Sequence, residues 1–143
     1  MPWLGAITAV GLVLLVGLVV LLLRIRTRDL VDEYVKRRGA SSRLSTRADY
    51  VEGMERIPVA LALTADTIYY ENPDLQASID LARIDEIEYD DETATGQNVD
   101  GKVVRVRSHG HAFEFVVDVE SGRRWEAALP THHVDDTGKV RAS

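Results

Sequence analysis

The chain contains no cysteine, which excludes disulfides, thiol nucleophiles and cysteine-ligated zinc. It also lacks a G-x-S-x-G elbow, a P-loop and a dinucleotide fingerprint; Gly96, Gly101 and Gly110 are isolated and read as turn residues. Basic charge is in deficit, with 17 Lys and Arg against 23 Asp and Glu in 143 residues and a formal net charge of −6. The most informative absence is local. Residues 3–23 (WLGAITAVGLVLLVGLVVLLL) carry no charge at all.

An α-helix needs roughly 20 apolar residues to cross the ~30 Å hydrocarbon core, so this run predicts a membrane span. A cleaved signal peptide would place basic residues before a shorter apolar core and small residues at its end; here Leu21, Leu22 and Leu23 run straight into Arg24. The span is therefore expected to remain as a single-pass anchor. Basic residues follow it, at Arg24, Arg26, Arg28, Lys36, Arg37 and Arg38. By the positive-inside rule they leave the N-terminus outside and hold the soluble domain at the cytoplasmic face of the cell membrane. They also form a candidate collar for anionic inner-leaflet lipid. Trp3 is expected in the outer interfacial belt, and Gly5 and Ala9 make one small-xxx-small pair that would let a second helix approach closely.

Charge divides the remaining chain. Residues 24–50 hold eight Lys and Arg against four Asp and Glu, whereas residues 51–130 hold seven against seventeen. A basic juxtamembrane extension (residues 1–39 including the span) thus precedes an acidic folded domain. Leu30, Val31, Tyr34 and Val35 continue at helical spacing, and Gly39 is a stop signal. Residues 40–50, rich in small polar side chains, read as a linker; the domain is expected over residues 51–130 and a polar, flexible tail over residues 131–143.

Within the domain the period is two. Ile57, Val59, Leu61 and Leu63 form the bulky face of a first strand, with the smaller Pro58, Ala60, Ala62 and Thr64 opposite. Further strands are expected over residues 67–71, 76–81, 84–90, 102–107 and 112–118, with a turn at Asn72-Pro73-Asp74 and a loop over residues 91–100. Val104, Val106, Phe113, Phe115 and Val117 share a face. A helix capped by Ser121 then runs to about Leu129, stacking Trp125 and Leu129 before Pro130. Trp125, Phe113, Phe115, Leu61 and Leu63 are the expected core, in an α+β, mainly β fold.

The segments PVALALTADTIYYEN, ASIDLARIDEIEY, GKVVRVRSHGHAFEFVVD and SGRRWEAAL together resemble the bacterial PH-like and GRAM-like domains, over about residues 55–130. The resemblance implies a small, half-open antiparallel barrel of six or seven strands closed by the C-terminal helix, with Trp125 as its plug. Phosphoinositide-binding relatives carry basic residues in the loop after the first strand. Here that loop reads Thr64-Ala65-Asp66, and the lipid-binding role does not carry over.

Three features could bear function. Asp85, Glu86, Glu88, Asp90, Asp91 and Glu92 form an acidic cluster without the spacing of a calcium loop, so it reads as a solvated face or a docking surface for a basic partner. Arg105 and Arg107 share an outward face, and with Arg123 and Arg124 could make a small basic patch for anionic headgroups. His109, His111, His132 and His133 lack zinc spacing. The acidic domain disfavours nucleic acid, and no cofactor is implied. The sequence therefore points to a non-catalytic, membrane-anchored interaction module with a protein partner. Behind it stand an anionic-lipid adaptor and, more remotely, a metal-dependent enzyme.

Overall fold

The computed structural model describes the backbone of residues 2–134 and 140–142. Helix α1 (Pro2–Gly39) is unbroken and joins the apolar run to its basic extension. It is long and apolar enough to cross a membrane. From Val10 to Leu23 its large apolar side chains remain 47–70% exposed, so this is not the core helix of a globule. Gly39 ends it, and the Ser41 N–H bonds back to the Arg38 carbonyl at 3.1 Å.

Seven strands follow: β1 (Leu44–Glu52), β2 (Glu55–Leu63), β3 (Thr67–Asn72), β4 (Leu75–Asp80), β5 (Ile84–Glu92), β6 (Asn98–Ser108) and β7 (His111–Val117). Helix α2 (Val119–Ala128) and the short β8 (His132–Val134) and β9 (Val140–Ala142) complete the order. All pair antiparallel in one open sheet, β4-β3-β2-β1-β7-β6-β5-β8-β9. The hairpin turns use the residues their geometry requires. Gly53 (φ 62°) starts the β1–β2 turn, and His109 (φ 51°) with Gly110 (φ 77°) makes the two-residue β6–β7 turn.

The sheet bends at β1. This strand pairs with β2 along its whole length but with β7 only through Asp49, Tyr50 and Val51. The first turn of α2 fills the gap, where the Thr46 and Ser121 hydroxyls lie 2.9 Å apart. Close approach there depends on glycine: a Cβ on Gly122 would lie 2.7 Å from Lys102 Cβ, and one on Gly101 only 1.9 Å from the Val117 carbonyl oxygen. Trp125, fully buried, enters the concave face among Leu61, Leu63, Ile87, Val104, Val106 and Phe115. Tyr50, Tyr70, Phe113 and Phe115 form one aromatic cluster, with neighbouring ring centroids 5.1–6.3 Å apart. Four of the five expected core residues are fully buried, and Phe113 is partly buried at the rim.

Several boundaries differ from the sequence reading. The expected linker over residues 40–50 shrinks to residues 40–43, because β1 starts at Leu44. Its inward positions, Leu44, Thr46, Ala48 and Tyr50, do alternate, but Thr and Ala are too weakly apolar to announce a strand. Strand β6 starts at Asn98, inside the expected loop. The cap of α2 is Asp118, whose carboxylate accepts the Ser121 N–H at 2.8 Å. The expected flexible tail contains β8, which pairs with Glu86 and Ile87 of β5; residues 135–139 lie outside the described residues.

Among the described residues the Trp125 indole N–H has no hydrogen-bond partner, so the residue acts chiefly through its volume. Trp125→Ala should therefore lower stability by about 4 kcal/mol, and Trp125→Phe by much less, in urea titrations of the detergent-solubilised chain followed by circular dichroism.

Candidate functional site

The convex face of the sheet carries the features of interest, and it is covered in two halves. Over β1–β3 lies the basic half of α1. The outward residues of β2 are Ala60 and Ala62, respectively 1% and 0% exposed although neither belongs to the concave core. They pair across the sheet with Arg47 and Ser45 of β1 and with Glu71 and Tyr69 of β3. Small side chains let a helix settle there, and Val31 of α1 is fully buried. Polar contacts flank it. Asp32 accepts the Arg47 guanidinium (Nε 3.0 Å), the Ser45 hydroxyl donates to the Val35 carbonyl at 2.9 Å, and Arg38 donates to Glu71 (Nε 2.8 Å). The Arg38 guanidinium also lies 4.1 Å from the Tyr69 ring centroid, a cation–π contact. Glu71 is only 6% exposed, and Arg38 is its one cation among the described residues. The docked stripe is thus Val31, Val35 and Arg38; Leu30, expected to share it, points away and is 36% exposed.

Arg38 therefore does not serve the expected membrane collar. At 1.5 Å per residue it lies about 20 Å along the helix from Arg24, as do its neighbours Lys36 and Arg37. Arg37 pairs with Glu33 at 3.4 Å and lies 5.1 Å from the Tyr34 ring. Only Arg24, Arg26 and Arg28 adjoin the apolar run.

Over β5–β7 the cover is the β5–β6 loop, and the acidic cluster falls here. Glu86 and Glu88 are cross-strand neighbours of Arg107 and Arg105. Arg105 donates to Glu88 at 3.1 Å, Asp90 at 3.5 Å and the Glu92 carbonyl at 3.1 Å, and reaches Glu114 through Nε (3.2 Å) and Nη2 (3.0 Å). Glu114, buried, also accepts the Ala94 N–H at 3.0 Å, which fastens the loop. Burial opposes the charge on Arg105, but its bonds to Glu114 and Glu88 outweigh that and raise its pKa. The Asp91 N–H, then Arg105, hold the Asp90 carboxyl below its ordinary value. Glu86 faces Arg107 and His133, each at 3.5 Å, and Asp91 takes Lys102 at 2.6 Å. Asp85 and Glu92 are exposed, and neither forms an ion pair among the described residues.

The expected acidic docking surface is thus largely a ladder of internal ion pairs, and its period-two spacing is the register of β5 against β6. The same pairing removes Arg105 from the expected basic patch, since its side chain is 14% exposed and surrounded by carboxylates. Arg124 pairs with Glu120 at 2.6 Å. Among the described residues no His, Asp and Glu group is arranged to hold a metal. His109 occupies a hairpin turn and His133 lies beside Glu86.

The extra strand also moves the loop after the first strand. It is residues 53–54 (Gly-Met), flanked by Glu52 and Glu55, not residues 64–66, and it too lacks Lys and Arg. No protein-family model, curated protein or solved structure matches the chain.

Two consequences are measurable. Glu114→Ala removes the most buried of the Arg105 carboxylates and leaves the Ala94 N–H without its acceptor, and should cost about 2 kcal/mol, whereas Glu88→Ala, at a more exposed pair, should cost under about 1 kcal/mol in the same urea titration. Val31→Asp should free the domain from α1 and accelerate tryptic cleavage after Arg38 and Arg43. Leu30→Asp should leave the cleavage rate unchanged.

Proposed function

We propose that this protein is a membrane-anchored, non-catalytic docking module: a PH-like or GRAM-like domain held at the cytoplasmic face of the cell membrane to receive a protein partner. The observation that carries the reading is the continuity of α1. One helix provides an uncovered apolar stretch long enough to span and, without a break, the stripe that clamps onto the sheet through Val31 and Arg38. A domain on a loose tether would need no such clamp; a domain presented to a neighbour in a fixed attitude would. The arginines that follow the apolar run support the orientation. The strand order, the bend at β1 and the Trp125 plug support the PH-like part.

The partner would be received along β4. Among the described residues this strand ends the sheet with β3 as its one neighbour, and it exposes Gln76, Ser78 and Asp80. Strand addition at such an edge needs backbone groups and shallow side-chain pockets rather than a sequence motif. Reading of anionic lipid through Arg105 and Arg107 is disfavoured, because carboxylates hold both guanidinium groups.

A photocrosslinker at Gln76 or Ser78 of the full chain in its native membrane should give a discrete protein adduct. The same group at Glu126 on α2 should give none, and Val31→Asp should weaken the adduct from the edge. Only lipid adducts from both edge positions would overturn the reading.

A further inference from the structure

Where α1 leaves its apolar run, it stands away from the sheet and encloses a cleft of about 700 Å³. One wall is helical, with Val20, Leu23, Arg24 and Arg28; the other is the start of the sheet, with Arg47 and Arg56. Four arginines thus line a space whose one acidic lining residue is Asp49. Arg47 is already held by Asp32. Among the described residues Arg24, Arg28 and Arg56 form no ion pair, unlike Arg38, Arg105, Arg107 and Arg124, each of which has a carboxylate. Positive charges converging on one cleft repel one another unless an anion lies between them.

The walls specify the anion further. Guanidinium groups from two elements suit a phosphate, which accepts paired hydrogen bonds on several oxygens. Val20 and Leu23, respectively 51% and 58% exposed, offer apolar surface on the side of the apolar run, where a free inorganic phosphate would gain nothing. An anion joined to an acyl chain would use both surfaces. We infer that the cleft between α1 and β1–β2 is a binding site for the headgroup of an anionic phospholipid, with Arg24, Arg28 and Arg56 on the phosphate and Val20 and Leu23 along the upper acyl chain. The inference rests on α1 being a membrane span but not on the protein partner. It concerns a different face from Arg105 and Arg107, and it lies in a cleft that neither α1 nor the sheet could form alone.

Native mass spectrometry of the detergent-solubilised full chain, titrated with phosphatidylglycerol, phosphatidylcholine or inorganic phosphate, tests this. Wild type should retain phosphatidylglycerol, ignore phosphatidylcholine and not be displaced by millimolar phosphate. The double variant Arg28→Gln/Arg56→Gln should bind phosphatidylglycerol about tenfold or more weakly, the loss expected from two charge-assisted contacts. Both side chains are exposed and unpaired among the described residues, so folding should be unaffected. Arg43→Gln/Arg83→Gln, which removes the same charge from exposed positions off the cleft, should match wild type. Equal retention by the cleft variant and wild type, or displacement by inorganic phosphate, would overturn the assignment. A parallel flotation on neutral vesicles washed with alkaline carbonate separates the two ideas. If the wild type fails to float, the span itself is wrong; if it floats but shows no anionic preference, only the headgroup site is wrong.

Discussion

On the convex face the cover over β1–β3 depends on the seating of α1 against two alanines. Ala60 and Ala62 provide the shallow bed, Val31 fills it, and Arg38 brings to Glu71 the charge without which that carboxylate would be buried unpaired. Hydrophobic burial and an ion pair reinforce each other here. The apolar contact holds the helix against the sheet, and the pair fixes its rotation about its own axis. Polar contacts from Ser45 and Arg47 then set its position along β1.

The other half of that face solves the same problem with charge. Glu114 and Arg105 are mutually compensating, and the β5–β6 loop is drawn over them through the Ala94 N–H and the Glu92 carbonyl. A negative domain thereby keeps much of its surplus carboxylate in cross-strand pairs. The two covers differ in chemical kind, one a helix on small residues and the other a loop on an ion-pair network, yet both leave β4 uncovered.

Much of this architecture was legible in the sequence because its signals are periodic. The uncharged run, the alternation of Ile57, Val59, Leu61 and Leu63, and the stacking of Trp125 on Leu129 each follow from spacing, whereas the plugging role of Trp125 is what the family resemblance implies. What was missed shares one cause: positions whose partner is distant in the chain. β1 was hidden because its inward face carries Thr46, which meets Ser121 of α2, and the small Ala48, both too weakly apolar to mark a strand. The small face of β2 was visible as small but not as buried, although a strand apolar on both faces is a sign of double cover. The acidic cluster was read as a surface because its cations lie a strand away, at Arg105 and Arg107. The convergence of Arg24, Arg28, Arg47 and Arg56 could not be read at all, since it arises from how a helix meets a hairpin.

The absence of any break between the apolar run and the clamp has a mechanical corollary. With no hinge between them, the span and the domain behave as a crank and its handle: turning the helix about its axis sweeps the β4 edge through an arc, and tilting the helix lifts or lowers that edge. Bilayer thickness, or a neighbouring helix that imposes a rotation, would thus be transmitted to β4 as displacement, without any rearrangement inside the domain.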